Sequence, residues 1–195
     1  MAIHAGRHQF GTDRGRITLR TSRDGLVATA GHDLTIEVAR WSAELVVSPD
    51  LSPASLTATI DLGSLVVREG TGGLLPLTDR DRREIAVTAR NVMKSDRFPQ
   101  AVFTATAFQP DPGGGNADVG GVISGTLSLA GQSGPLRLQV HPAGSGRYKA
   151  TTTIRQTDFG IKPYTGFLGA LRVRNTVEVE VDVDLSAAEE REPAA

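Results

Sequence analysis

His32 and Asp33 are the most enzyme-like pair in the sequence, because a histidine beside a carboxylate is part of many nucleophilic and general-base sites. The pair opens a segment in which apolar and polar residues alternate, a pattern typical of a β-strand. Neighbouring residues on a strand point to opposite faces of the sheet, so His32 and Asp33 cannot form a His–Asp dyad with each other. We therefore favour a turn residue or a satisfied polar group for His32 over a general base.

Other classes of chemistry lack the residues that they need. The chain has no cysteine and no cluster of histidines and carboxylates with metal-ligand spacing, so we expect no thiol chemistry, no metal and no cofactor. It has no G-x-S-x-G motif of the hydrolase type. The net charge of −1 argues against nucleic acid as a partner, since phosphate binding needs a strongly basic surface. Arg155 and Asp158 are more typical of an ion pair that holds a hairpin than of a catalytic pair.

Residues 78–109 predict a helix that passes directly into a strand. Three apolar residues recur at helical spacing and share one face, namely Ile85, Ala89 and Val92. Thr78 or Asp79 is suited to cap the start of the helix, and Pro99 prevents it from continuing. From residue 101 onward the apolar period becomes two. Because the rest of the chain has strand patterns, we expect this helix to pack against a sheet.

Roughly eight to ten short segments alternate between apolar and polar residues and predict strands, most of them in hairpin order. Residues 26–30 are predicted to be a short strand. A sheet with one wet face is antiparallel, and a sheet of this many strands tends to curl and to close into a barrel. The inward side chains are mostly Val, Leu, Ala and Ile, and aromatic residues make up 5% of the chain. This choice of small side chains leaves room for a lumen.

Two glycine-rich segments contain more apolar side chains than ordinary loops do. The leucines of residues 68–77 are expected to tuck against the core, or otherwise to cover an opening. The second, residues 158–170, includes the segment from Phe159 to Leu168, which contains Tyr164 and Phe167 and forms either a portal at one mouth of the barrel or a plug that closes its core. We weigh these two interpretations equally. Lys162, in the same segment, is placed to meet an anionic head group.

A chain of 195 residues is long enough for one domain with a sizeable core. We divide it into a mobile N-terminal arm over residues 1–9, a barrel domain over residues 10–186 and a disordered tail over residues 187–195. The N-terminus has no apolar stretch of the length that a signal peptide needs, and no window approaches a membrane span. We therefore expect a soluble cytoplasmic protein with no integral membrane segment.

Several motifs resemble those of the YceI-like family in their order and spacing. They are SDRFPQAVFTATAF, then GTLSLAG followed by a short turn and PLRLQV, then IRQTDFGI. The upstream GHDLTIEVARW and REGTGG resemble an actinobacterial branch of the family. The resemblance covers residues 10–185. The Asp-x-x-His-Ser pattern of many family members is replaced here by GTDRGRITLRT, which lacks the histidine.

The resemblance implies an all-β fold, an antiparallel lipocalin-like β-barrel with one helix packed against it. It also implies a non-catalytic protein that holds a long apolar lipid, a polyisoprenoid or an isoprenoid-quinone-like molecule, for storage, transport or a stress response. The residues that match family motifs are Phe98, Pro99, Phe103, Gly125, Leu127, Arg155, Asp158, Phe159 and Gly160. We expect the lipid to be bound by Ile17, Leu19, His32, Leu34, Ile36, Trp41, Phe103, Leu127, Arg155, Phe159, Lys162, Tyr164 and Phe167.

Two other functions remain open from the residues alone. An enzyme acting on a lipid-like substrate would use His32 as its base and Arg155 or Lys162 as an anion site. It requires His32, Arg155 and a carboxylate to converge inside one cavity. A barrel filled with side chains would instead serve as a structural or interaction module, for example as a homodimer. It requires a core that is packed without a tunnel.

Overall fold

An antiparallel sheet curls around an apolar interior, and one helix lies against it. The structure is a computed structural model and describes residues 5–49, 53–112 and 119–186, in which the side chain of Phe167 is not described. The helix is α1 (Asp79–Val92). The strands of the described residues are β1 (Gly6–Gly11), β2 (Gly15–Asp24), β3 (Asp33–Val38), β4 (Trp41–Val47), β5 (Pro53–Asp61), β6 (Leu65–Thr71), β7 (Gln100–Pro110), β8 (Gly121–Leu129), β9 (Gln132–Gly144), β10 (Arg147–Arg155), β11 (Thr165–Gly166) and β12 (Leu171–Asp184).

The sheet has the order β1-β4-β5-β7-β8-β9-β10-β12-β2-β3-β6, with the two-residue β11 paired to β12. Its pairs are antiparallel, as expected for strands with one wet face. Among the strands that the structure describes, the path curls into a half-barrel whose ends are not hydrogen-bonded to each other, so β1 and β6 are its two edge strands. The helix α1 lies against β6 and covers that edge. The predicted fold class, antiparallel and lipocalin-like with one helix, is confirmed.

The helix α1 begins and ends where its sequence pattern indicates. Thr78 is the N-cap, and its hydroxyl accepts a hydrogen bond from the backbone N–H of Asp81. The Asp81 carboxylate accepts hydrogen bonds in return from the backbone N–H and the hydroxyl of Thr78, which completes a capping box. The predicted apolar face of the helix, Ile85, Ala89 and Val92, faces the interior of the sheet. The helix prediction is confirmed, with Thr78 as the cap.

Phe98 and Pro99 join the helix to β7 through a contact with a hairpin turn. Ala130 and Gly131 connect β8 to β9, with φ values of 52° and 83°. The Phe98 ring lies over Gly131, where an added Cβ would come within 2.4 Å of the ring. The Arg97 guanidinium lies 5.2 Å from the centre of the same ring. The Phe-Pro motif therefore holds the segment after the helix against the sheet.

Two predictions from the N-terminal part of the sequence are corrected. Residues 26–30 are not a strand, because Gly25 has a φ of 106° and the chain then forms a 3-10 helix at Ala28–Ala30. Residues 6–9 of the predicted mobile arm belong to β1, which pairs with β4. The sequence pattern did not reveal β1, because the side chain buried near its middle is that of His8, which is 1% exposed, and not an apolar one. Residues 1–4 of the arm and the predicted tail, residues 187–195, lie outside the described residues.

The contact between Phe98 and Gly131 predicts the cost of a methyl group at that turn. Gly131→Ala would place a side chain in the left-handed region, at a cost of about 1–2 kcal/mol, and would also force the Phe98 ring away. Gly144→Ala is a matched control, because Gly144 has nearly the same φ, 82°, but no atom of the described residues lies within 4 Å of an added Cβ. We expect Gly131→Ala to lower the free energy of unfolding in urea by roughly 1 kcal/mol more than Gly144→Ala. Equal losses would mean that the ring moves aside without cost.

Candidate functional site

An internal cavity of about 590 Å³ lies on the concave face of the sheet. Its wall is formed by the inward side chains of the strands and by the inward face of α1, and almost all of them are apolar. The volume lies within the roughly 300–1,000 Å³ that is typical of small-molecule sites. An apolar cavity of this size inside a curled sheet is suited to bind an apolar molecule rather than to bind an ion.

The cavity exists because the inward side chains are too small to fill the interior. Leu19, Leu34, Ile60 and Val181 all face the cavity, yet each is only half-buried. In a filled core, aliphatic side chains at such positions would be fully buried against one another. The interior therefore differs from the packed core that a purely structural module requires.

Most of the residues that we predicted to bind the lipid line this cavity. They are Ile17, Leu19, His32, Leu34, Ile36, Trp41, Phe103, Leu127 and Tyr164. Their inward position follows from the two-residue period of β2, β3, β4, β7 and β8, and from the segment before β11. Whether these residues bind a ligand stays a prediction. The side chain of Phe167 lies outside the described part of the structure.

Three predicted residues lie away from the cavity wall and are corrected here. Phe159 is buried in an apolar cluster behind the wall, with its ring over Gly134. Arg155 is exposed, because Ile154 takes the inward position at the end of β10, and its Nε lies 4.0 Å from Asp158 Oδ1. Lys162 is also exposed, since the preceding residue of its segment is the one that turns inward.

Among the described residues, the enzymatic alternative lacks the convergence of His32 with Arg155 or Lys162 in one cavity on which it was based. His32 lines the cavity, but Arg155 and Lys162 do not. The described residues also contain no group of three His, Asp or Glu side chains that could hold a metal ion. The geometry favours binding over the catalytic arrangement with His32 as a base.

Trp41 is one of several aromatic residues on the cavity wall. Its ring packs edge-to-face on Phe10, with the ring centres 6.1 Å apart, and it lies where Gly15 has no side chain. Its indole Nε1 is buried and makes no hydrogen bond with the described residues. The Thr21 hydroxyl, also on the cavity wall, is in the same situation. These two groups are available to a polar atom of a bound molecule.

The two arginines of the wall, Arg23 and Arg172, lie at one end of the cavity, which we call its polar end, and sequence reasoning missed both of them. Arg23 Nη1 donates to the carbonyl oxygens of Thr71 at 2.7 Å and Gly31 at 3.4 Å. The backbone N–H of Arg23 donates to Asp33 Oδ1 at 2.7 Å. The alternation of side chains along β2 could have identified Arg23. Every second residue from Ile17 onward faces inward, and Arg23 belongs to this series.

His32 belongs to the same end and links it to the start of α1. Its Nε2 lies 2.8 Å from the carbonyl oxygen of Leu75, so this ring nitrogen carries the hydrogen of the bond. The hydrogen bond from the Thr78 hydroxyl is the main reason that the pKa of Asp81 is lowered, and the nearby His32 is a further, smaller cause. The interpretation of His32 as a satisfied polar group agrees with this geometry.

A family model described as the YceI-like domain matches residues 13–185. The chain belongs to the YceI-like family. A UPF0312 protein of Shewanella baltica is 35% identical to it over 89 residues, which cover 41% of this chain and 44% of the relative. A UPF0312 protein of Shewanella putrefaciens is 29% identical over 119 residues, which cover 56% and 55%. The matched part of the chain thus spans about half the length of these curated relatives.

Solved structures share the fold of this YceI-like protein. A polyisoprenoid binding domain from Saccharophagus degradans, described as implicated in plant cell wall breakdown, has a TM-score of 0.56 at 16% identity, over 92% of this chain and 97% of that chain. BcnA of Burkholderia cenocepacia has a TM-score of 0.53 at 18% identity, over 87% and 94%. In the part of the YceI-like chain that the structure describes, no helix has the length and apolar character to cross a bilayer.

Trp41 is the only tryptophan of this YceI-like protein, so its fluorescence should report on the cavity. We expect a blue-shifted emission, because the residue is buried among apolar side chains. A brominated long-chain lipid should quench this emission, whereas bromide ions in water should not. The measurement is a fluorescence titration with each quencher. Equal quenching by both would show that the indole faces bulk water, and no quenching by the lipid would show that the cavity does not admit it.

Proposed function

We propose that this YceI-like protein is a non-catalytic binding protein that holds one long apolar lipid, a polyisoprenoid or an isoprenoid-quinone-like molecule, in its internal cavity. The observation that carries the proposal is the cavity of about 590 Å³, with an almost wholly apolar wall, inside the curled sheet. The fold similarity to the polyisoprenoid binding domain from Saccharophagus degradans supports the choice of lipid class.

Burial of the lipid would supply most of the binding free energy. Each 100 Å² of apolar ligand surface removed from water contributes about 2.5 kcal/mol, before the cost of ordering the chain. We propose the aliphatic and aromatic wall residues as the contacts of the lipid tail, namely Ile17, Leu19, Leu34, Ile36, Trp41, Phe103 and Leu127. Their contacts with the tail are hydrophobic, so the affinity depends mainly on the apolar area of the tail that is buried.

The polar end of the cavity would orient the lipid. Arg23, Arg172 and Tyr164 line it, so a polar or anionic head group has two guanidinium groups and a hydroxyl as donors at this end, whereas the rest of the wall is mainly apolar and carries no arginine. A tail inserted in the opposite direction would leave the head group without these donors. The proposed orientation therefore puts the head group beside Arg23 and the tail in the depth of the sheet.

Other features stay predictions of the sequence. These are a role in storage, transport or a stress response, a cytoplasmic location, a homodimer and a place in an actinobacterial branch of the family. The curated relatives reported above are Shewanella proteins.

Native mass spectrometry of the purified protein, followed by organic extraction, tests the proposal. We expect a discrete added mass that the solvent removes, with an isoprenoid in the extract. A bare mass that stays unchanged after incubation with isoprenoid quinones and prenyl phosphates would contradict lipid binding. Conversion of the added lipid into a product would instead support the enzymatic alternative.

Ala58→Phe should block the cavity and reduce the bound lipid. Ala58 lies on the cavity wall, paired between Ala43 and Phe103, so a benzyl group there would occupy the space of the tail. Thr57→Phe is the matched control, because the preceding residue of β5 points to the outer face and is exposed. We expect the fraction of protein with bound lipid to fall about tenfold in Ala58→Phe, a loss of about 1.4 kcal/mol in binding, and to stay unchanged in Thr57→Phe. Equal fractions in the two variants would exclude the cavity as the binding site.

A further inference from the structure

The large apolar side chains that the described residues expose are concentrated at one end of the molecule. Leu26, Leu74, Leu75 and Leu168 are each at least 76% exposed, and Tyr164 is 42% exposed. Val87, on the outer face of α1, is the remaining member of this group. Single exposed leucines are common, but several in one place mark an interaction surface.

These side chains lie in three loops that contact one another. We call residues 25–31, 70–77 and 163–171 the rim loops. The first and third are joined by a hydrogen bond from the Val27 N–H to the Ala170 carbonyl oxygen, at 3.2 Å. The first and second are joined through Arg23, which donates to the Gly31 and Thr71 carbonyl oxygens. The three loops therefore form one continuous rim.

The rim loops contain no Asp, Glu, Lys or Arg, although these residues make up 22% of the chain. Surface loops that face water usually contain charged residues, and so do the outer parts of most protein interfaces. A surface that is apolar and uncharged at its tips is instead matched to the interfacial region of a lipid bilayer, where leucine and tyrosine side chains are stabilised.

The rim also surrounds the polar end of the cavity. Gly31, Tyr164 and Leu171 belong to the rim loops and line the cavity. Tyr164 and Arg172, which adjoins the third loop, line the cavity and are exposed as well, as expected of residues at a mouth between the loops. A molecule that leaves the cavity here would pass directly between the exposed leucines.

The leucines of the second loop are held outward by the packing beneath them. A Cβ on Gly72 would lie 2.0 Å from Arg23 Nη1, and a Cβ on Gly73 would lie 2.2 Å from His32 Nε2. The loop backbone therefore rests directly on these two side chains, and the Leu75 carbonyl accepts the hydrogen bond of His32. With its inner side occupied in this way, the loop turns Leu74 and Leu75 toward solvent.

We propose that the rim loops dock on the surface of a lipid bilayer and insert their exposed leucines into its interfacial region. Docking puts the mouth of the cavity in contact with the bilayer, so that an apolar lipid can move between the two without crossing water. The attraction is hydrophobic, because the rim loops contain no charged residue. This inference goes beyond lipid binding in the cavity. It rests on the proposed function only in that the transferred molecule is the lipid bound there.

Flotation with phosphatidylcholine vesicles tests the docking. We expect the protein to float with these neutral vesicles and to lose at least about tenfold in partitioning when Leu26, Leu74, Leu75 and Leu168 are all replaced by Gln. Because the four side chains are exposed, the variant should keep the thermal stability of the original protein. Val87→Gln is the matched control, since it removes an exposed apolar side chain away from the rim, and it should float normally. Raising the salt concentration should change the binding little.

The outcomes separate this inference from the proposed function. If the quadruple variant takes up lipid from detergent micelles normally but from vesicles slowly, the docking is supported. If the original protein takes up lipid from micelles but does not float with vesicles, the docking is overturned while lipid binding stands. If it floats but contains and takes up no lipid, lipid binding fails and the docking stands. A dimer in sedimentation experiments that the four substitutions abolish, without flotation, would assign the rim to a second copy of the chain and overturn the docking.

Discussion

The two-residue period of side chains on a curled sheet is the constraint on which the rest of the structure depends. Each strand directs alternate residues to the concave face, and in this chain these residues are mainly Val, Leu, Ile and Ala. The width of the interior is set by the curl of eleven hydrogen-bonded strands, and side chains this short do not meet across it. The helix α1 closes part of the remaining opening with Ile85, Ala89 and Val92. A cavity is the physical consequence of a wide sheet with small inward residues.

The same period explains which parts of the site could be predicted from sequence. Ile17, Leu19, Leu34 and Ile36 were found because apolar alternation along β2 and β3 assigns them to one face. Arg155 was misassigned by a motif, although alternation along β10 puts the neighbouring Ile154 inward. Arg23 was missed for the opposite reason, since an arginine at an inward position breaks the apolar pattern that the prediction relied on. His8 interrupts the apolar pattern of β1 in the same way, and this strand was therefore predicted to be part of a mobile arm. The capped helix was predictable because both its cap and its period are local.

The rim could not have been predicted, because its parts are far apart in the sequence and none has a regular pattern. Residue 26 follows β2, residue 74 follows β6 and residue 168 precedes β12. Only the sheet order, in which β12, β2, β3 and β6 are consecutive neighbours, brings the three loops to one end. In the second loop, sequence reasoning favoured leucines tucked against the core. That holds for Leu77, which packs against the main apolar cluster, but not for Leu74 and Leu75.

A cavity for an apolar lipid must exclude water and yet admit a molecule that is almost insoluble in water. The aliphatic side chains in the depth of the sheet exclude water. The rim loops are the part of the molecule where a lipid would be admitted. The exposed leucines contribute little to the packing of this fold. Contact with another apolar surface would therefore gain the free energy of removing them from water. The Arg23 and His32 side chains hold the loops that display these leucines, and they also line the end of the cavity where a head group would lie. In the proposed function, the side chains that hold the rim would therefore also lie beside the head group of the lipid.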